Sequence, residues 1–139
     1  MPQIIVGAAI IVAGRVLACA RAAPPALAGR WEFPGGKVEP GEDDTSALER
    51  ECREELDVRV RVGERVGADV PLGDGSAVLR VYAAQLCDGD QPRLIEHLAL
   101  RWLAVHELSE VAWLPADAPI VAALPPLLAV RADAHGVGT

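Results

Sequence analysis

Positive charge is scarce in this chain. Thirteen lysines and arginines, of which only Lys37 is a lysine, face 20 acids, giving a net charge of −7. No basic stripe exists to displace counterions from a phosphate backbone, which argues against a nucleic-acid polymer as partner. Cysteine is also sparse: Cys19, Cys52 and Cys87 are odd in number and lack metal-site spacing. Reduced thiols in a cytoplasmic protein are expected, not a disulfide framework. Long hydrophobic runs are missing. The most apolar stretch, Ile4 to Val12, has no basic residues before it, is broken by Gly7 and is too short to cross a bilayer. It reads as a buried strand, with no role in a membrane. No internal repeat or low-complexity linker appears, and 139 residues, about half of them hydrophobic, suit one domain over 1–139. A small anionic nucleotide stays open as partner, provided metal ions supply the missing positive charge.

Apolar periodicity gives a strand from Gln3 to Val12, a turn at Ala13-Gly14 and a second strand from Arg15 to Ala20. Pro24-Pro25 marks a loop. Glu32 to Gly36 reads as a turn whose two glycines would let backbone approach a ligand closely. A helix is predicted from Asp44 to Leu56, with Ala47, Leu48, Cys52 and Leu56 as its buried stripe. Strands follow at Val58–Val62, up to about Val70, at Ala77–Leu86 and at Leu98–Val105, with a turn at Gly73-Asp74-Gly75. A short helix is expected over Val105–Val111 and another from about Asp117, kinked or ended by Pro125-Pro126. This mixture indicates α+β with a mixed sheet.

Acid is abundant in one place. Between Glu42 and Asp57 eight acids stand against two arginines, Arg50 and Arg53. Glu51 and Glu55 are four apart and share a helix face, with Glu54 beside them. Two carboxylates about 6 Å apart repel by roughly 3 kcal/mol at an effective dielectric of 20. Such a cluster calls for a cation, and hard oxygens select Mg²⁺ or Mn²⁺.

Gly36, Glu42, Arg50, Glu51, Glu54, Glu55 and Val58 fall in a register that resembles the Nudix box. Two positions depart from the pattern: Asp57 stands in place of a glycine and Cys52 fills an apolar slot. Aspartate is among the residues that best tolerate left-handed backbone, which the glycine would supply at the helix exit. The resemblance implies a mixed sheet between helices and hydrolysis of a nucleoside diphosphate linked to another group. It further implies a metal held by the Gly36 carbonyl, Glu51, Glu54 and Glu55, with Arg50 orienting the carboxylates and pairing with Glu42. One glutamate of the box would act as base or orient the water.

Trp31 to Glu39 is similar to the start of the box in the MutT branch and the related CTP/dCTP pyrophosphohydrolases. That branch implies Glu96, six residues before Trp102, as a further metal ligand; it reads equally as a plain loop acid. It also implies Asp117 in the Pro115–Pro119 loop as a base-reading residue. An ionised aspartate accepts hydrogen bonds, so it suits the amino group of cytosine or the N1 and N2 hydrogens of a guanine. Asp117 reads equally as a helix N-cap. Arg21 and Lys37 are candidate phosphate contacts, Phe33 a candidate wall of the base pocket or a core residue, and Tyr82 a candidate border of that pocket. His97 reads as a surface residue. In ADP-ribose and dinucleoside polyphosphate enzymes a proline or tyrosine follows the box; about 73–76 this chain has Gly-Asp-Gly-Ser. The expectation is a Mg²⁺-dependent nucleoside triphosphate pyrophosphohydrolase acting on cytosine nucleotides and 8-oxo-dGTP. A dedicated 8-oxo-dGTP enzyme and a nucleotide-binding module without turnover are the alternatives. Monomer and homodimer are both compatible with the sequence.

Overall fold

The computed structural model describes residues 2–129. Its spine is β1, Gln3–Val12, which sends Val6, Ala8 and Ile10 into one apolar cluster and Ile5, Ala9 and Ile11 into another. Burial on both faces is what a near-continuous run of Val, Ile and Ala encodes. Ala13 and Gly14, at φ 51° and 78°, turn the chain into β2, Arg15–Ala20. Two left-handed residues in a row give the tight turn whose twist matches a hairpin.

β1 runs parallel to β7, Ala77–Leu86, from Gln3↔Ala77 to Ile10↔Ala84. β5, Val60–Arg65, and β6, Val70–Leu72, pair antiparallel with β7, while β4, Gly35–Lys37, pairs antiparallel with β1. β3, Trp31–Glu32, and β8, Ala99–Leu103, both pair with β2. One face of this mixed sheet is covered by α1, Asp44–Leu56, whose Ala47, Leu48, Cys52 and Leu56 pack beneath Val6, Ala8 and Leu17. The other face is covered by α2, Ala118–Ala123, and by helical residues 125–129; Ile120, Leu124 and Leu128 meet Phe33, Leu79 and Val81. This is the expected α+β sandwich of a sheet between helices.

Several expectations are corrected. The Glu32–Gly36 segment is not a free turn: β3 and β4 occupy it on either side of Phe33-Pro34. A Cβ on Gly35 would lie 1.9 Å from the Val6 carbonyl oxygen, so that glycine lets β4 press against β1 while it lines the cavity. The strand expected over Val58–Val62 starts at Val60, because Val58 is buried beside the end of α1. It ends at Arg65, and β6 begins separately at Val70. The Leu98–Val105 strand is trimmed to β8, and the next helix is a 3-10 turn over Val105–Glu110. Among the described residues, no helix is long and apolar enough to cross a membrane.

Candidate active site

The acidic end of the site is carried by the C-terminal half of α1, a helix capped at both ends. Asp43 caps its start by accepting from the Ser46 amide at 2.8 Å. Asp57 closes it in the left-handed region, φ 55° and ψ 42°, its N–H bonded to the Arg53 carbonyl. The departure from glycine at 57 therefore keeps the backbone role. Between these caps Glu51 and Glu55 face β4. A Cβ on Gly36 would sit 2.1 Å from Glu51 Oε2, so only glycine lets strand and carboxylate approach so closely. The Gly35 amide donates to Glu55 Oε2 at 3.0 Å.

Arg50 organises the same end. Its guanidinium forks onto Glu42 (Nε to Oε2 2.7 Å, Nη2 to Oε1 2.9 Å) and reaches Glu51 at 2.7 Å, Glu54 at 3.3 Å and the Lys37 carbonyl at 3.1 Å. This planar fork is what lysine cannot supply. The Arg50 bond holds Glu42 down at about 2. Burial raises Glu51 above the usual carboxylate range, with Arg50 opposing. Burial, then the charge of Glu51, pushes Glu55 up to about 8. Among the described residues no three acidic, histidine or cysteine side chains form a ready metal cage; the Arg50 guanidinium bonds to both Glu51 and Glu54.

A cavity of about 470 Å³ connects this acidic end to a second one. Glu51, Glu55, Gly35, Gly36 and Glu96 line the first end; Arg21, Glu32, Phe33, Leu114 and Asp117 line the rest, with Ile5, Leu72 and Leu79 as apolar wall. Phe33 is buried in the core, lies tilted against Trp113 with ring centroids 5.0 Å apart, and lines the cavity. Asp117 ends a 3-10 turn, Pro115–Asp117, and stands at the N-cap of α2 without a side-chain capping bond. The capping role is therefore not used. The carboxyl lies buried on the cavity wall, pushed up to about 7 by burial and then by Glu32, with Arg21 pulling the other way.

Four further residues take these places in the structure. Arg21 lines the cavity, but its guanidinium is engaged by Glu32 at 2.9 Å and by the Ala23 carbonyl at 3.0 Å. Lys37 is exposed and does not border the cavity. Tyr82 does not border it either: even-numbered residues of β7 point to α1, and its hydroxyl donates to Asp44 at 2.7 Å. His97 is no surface residue; it is 9% exposed and lines the cavity. Glu54 belongs to the Arg50 cluster but not to the cavity lining, whereas Glu96 lines it. Sequence reasoning gave Glu32 no role, although it directly precedes the sole phenylalanine, and it turns out to join Arg21 to His97.

Comparisons with known proteins agree with this arrangement. Residues 1–124 match the family described as NUDIX domain. A Mycobacterium tuberculosis protein named "Putative 8-oxo-dGTP diphosphatase 2" is 46% identical over 137 residues, covering 96% of each chain. The CTP pyrophosphohydrolase of Escherichia coli is 39% identical over 133 residues, covering 94% of this chain and 98% of that one. The solution structure of the E. coli ORF135 protein superposes with a TM-score of 0.76 at 37% identity, covering 93% of this chain and 92% of that one. With the box glutamates, the glycine pair and the sheet between helices all in register, this chain belongs to the Nudix hydrolase family, in its MutT-like branch.

Proposed function

We propose that the chain is a Mg²⁺-dependent nucleoside triphosphate pyrophosphohydrolase that converts CTP, dCTP, 5-methyl-dCTP and 8-oxo-dGTP to the monophosphate and pyrophosphate, clearing the nucleotide pool. One observation carries this reading: a single cavity joins Glu51 and Glu55 to Phe33 and Asp117. A triphosphate needs its charged chain and its flat base held at opposite ends of one site, and about 470 Å³ suits a ligand of that size.

The acidic end fits a hard divalent cation. Glu55 is held up at about 8 by burial and by the charges of Glu51, Glu32 and Glu96, a surplus that a cation relieves. The lack of a Cβ at Gly36 keeps backbone beside Glu51. The Gly36 carbonyl with Glu51, Glu54, Glu55 and Glu96 would hold Mg²⁺, or Mn²⁺ in its place. Such an ion neutralises phosphate charge and acidifies water. The chain's own side chains do the remaining work. Arg50 fixes the carboxylates; Glu51 or Glu55 accepts the proton of the attacking water; Phe33 covers the base. Ionised Asp117 accepts from the amino group of cytosine, or from N1 and N2 of a guanine.

The two base classes separate in one experiment: kcat/KM for CTP, dCTP, 5-methyl-dCTP, 8-oxo-dGTP, dGTP and ADP-ribose, measured side by side. The expected leader is a cytosine nucleotide. The 46% identity to the mycobacterial relative favours a second reading, a dedicated 8-oxo-dGTP diphosphatase. An 8-oxo-dGTP lead of tenfold, about 1.4 kcal/mol of transition-state preference, establishes that reading instead.

A further inference from the structure

His97 sits in the loop between β7 and β8, and that loop distributes its side chains against hydropathy. Leu94, Ile95 and Leu98 are 56%, 55% and 56% exposed, while the imidazole between them is buried. The Leu98 amide anchors the loop to the Ala20 carbonyl at 2.8 Å, and this register turns His97 inward. A loop folded for burial alone would put its aliphatic side chains inside.

Inside, the ring meets two carboxylates from different elements. His97 Nε2 lies 3.2 Å from Glu32 Oε2, on β3, and 3.5 Å from Glu55 Oε1, on α1. Both neighbours are acceptors when ionised, so the proton belongs on Nε2. The other oxygens of these carboxylates are already occupied: Glu32 Oε1 by Arg21 and Glu55 Oε2 by the Gly35 amide. Among the described residues, His97 Nδ1 is the one buried side-chain nitrogen or oxygen without a hydrogen-bond partner. A histidine kept for packing would not leave a buried nitrogen unpaired while directing the other at two acids.

We propose that His97 is a positioning residue: its Nε2, hydrogen-bonded to Glu32 at 3.2 Å and 3.5 Å from Glu55 Oε1, holds Glu55 beside Glu32 in one contiguous polar line, Arg21–Glu32–His97–Glu55. The clamp acts through Glu55, so the inference rests on the metal-binding reading above. Without the donor, Glu55 keeps only the Gly35 amide among these contacts and loses its fixed approach to the cation. Outer partners of this kind typically hold 10–100-fold in metal affinity or activity.

The test is Mn²⁺ binding to the full-length protein without nucleotide, followed by the paramagnetic resonance of the free ion, for wild type, His97→Ala, His97→Phe and His97→Gln. Phenylalanine fills the slot without a donor; glutamine brings a donor without the ring. We expect His97→Ala and His97→Phe to weaken Mn²⁺ by about tenfold or more, with His97→Gln within about threefold of wild type. With Mg²⁺ and dCTP, the same two variants should lose kcat with KM changed less than about threefold. Mn²⁺ affinity unchanged in His97→Phe, or glutamine as weak as phenylalanine, overturns the clamp. If His97→Ala does not fold, the phenylalanine and glutamine pair decides alone. A wild type that binds no Mn²⁺ instead overturns the metal reading itself, a separate outcome.

Discussion

Replacing Asp117 with asparagine should make the protein's stability less dependent on pH, by roughly 3 kcal/mol between pH 5 and 8.5. Asp117 is 4% exposed and stands near Glu32, whose guanidinium partner Arg21 is already engaged. Burial first, then Glu32, pushes the carboxyl from 3.8 to about 7. A folded-state value raised above the unfolded one contributes stability that is fully present below the unfolded value and is lost as pH rises through the folded one. The whole move corresponds to ~4 kcal/mol at 1.36 kcal/mol per pH unit. Roughly 3 kcal/mol of it is lost between pH 5 and 8.5, because the unfolded carboxyl is already ionised at pH 5. Asparagine has nearly the same shape and does not titrate. Urea denaturation of wild type and Asp117→Asn at pH 5, 6.5 and 8.5 should therefore show the variant gaining about 3 kcal/mol on wild type across the series, a large share of a 5–15 kcal/mol total. A difference constant to within about 0.5 kcal/mol would refute the reasoning: Asp117 would then be ionised throughout, paired or solvated in a way its burial does not suggest.

Three further substitutions bear on the acidic end and its surroundings. Arg50→Lys keeps the charge but loses the fork onto Glu42, so turnover should fall about 10–100-fold and the Mg²⁺ needed for half-maximal rate should rise. Gly36→Ala places a methyl group against Glu51 Oε2; because that oxygen ends a flexible side chain, stability should fall by less than about 1 kcal/mol while turnover falls by about 100-fold or more. Thermal melts and steady-state rates separate the two effects. Tyr82→Phe removes the 2.7 Å bond to Asp44 and should cost about 0.5–1.5 kcal/mol of stability, with kcat and KM unchanged, since the ring does not border the cavity.

Much of the architecture is legible in the sequence where local signals agree. α1 runs from Asp44 to Leu56 as periodicity indicates, with the same four apolar residues buried, and β1, β2 and β7 keep their expected bounds. The Arg50–Glu42 pair, implied by the resemblance to the Nudix box, is present at 2.7 Å. Positions that depend on distant partners are harder to read. Gly35 and Gly36 look like a turn until β1 and Glu51 are known to lie against them. Tyr82 lies in the expected Ala77–Leu86 strand, and its face, toward α1, is fixed by the alternation with Leu79, Val81 and Ala83 on the other side. His97 is hidden by its own neighbours: three aliphatic residues around it imply that they, not the imidazole, go inside. Glu32 acquires its place only when β3 brings it beside Arg21 and His97.

Everything proposed for the site depends on cleavage of a triphosphate to monophosphate and pyrophosphate at the carboxylates of α1. The most direct test is ³¹P NMR of dCTP or 8-oxo-dGTP with Mg²⁺ and the wild-type protein, alongside Glu55→Gln. Equal amounts of monophosphate and pyrophosphate are expected, absent without Mg²⁺ and reduced by about 100-fold or more in the variant. Diphosphate with free phosphate, or a Glu55→Gln variant as active as wild type, would contradict it.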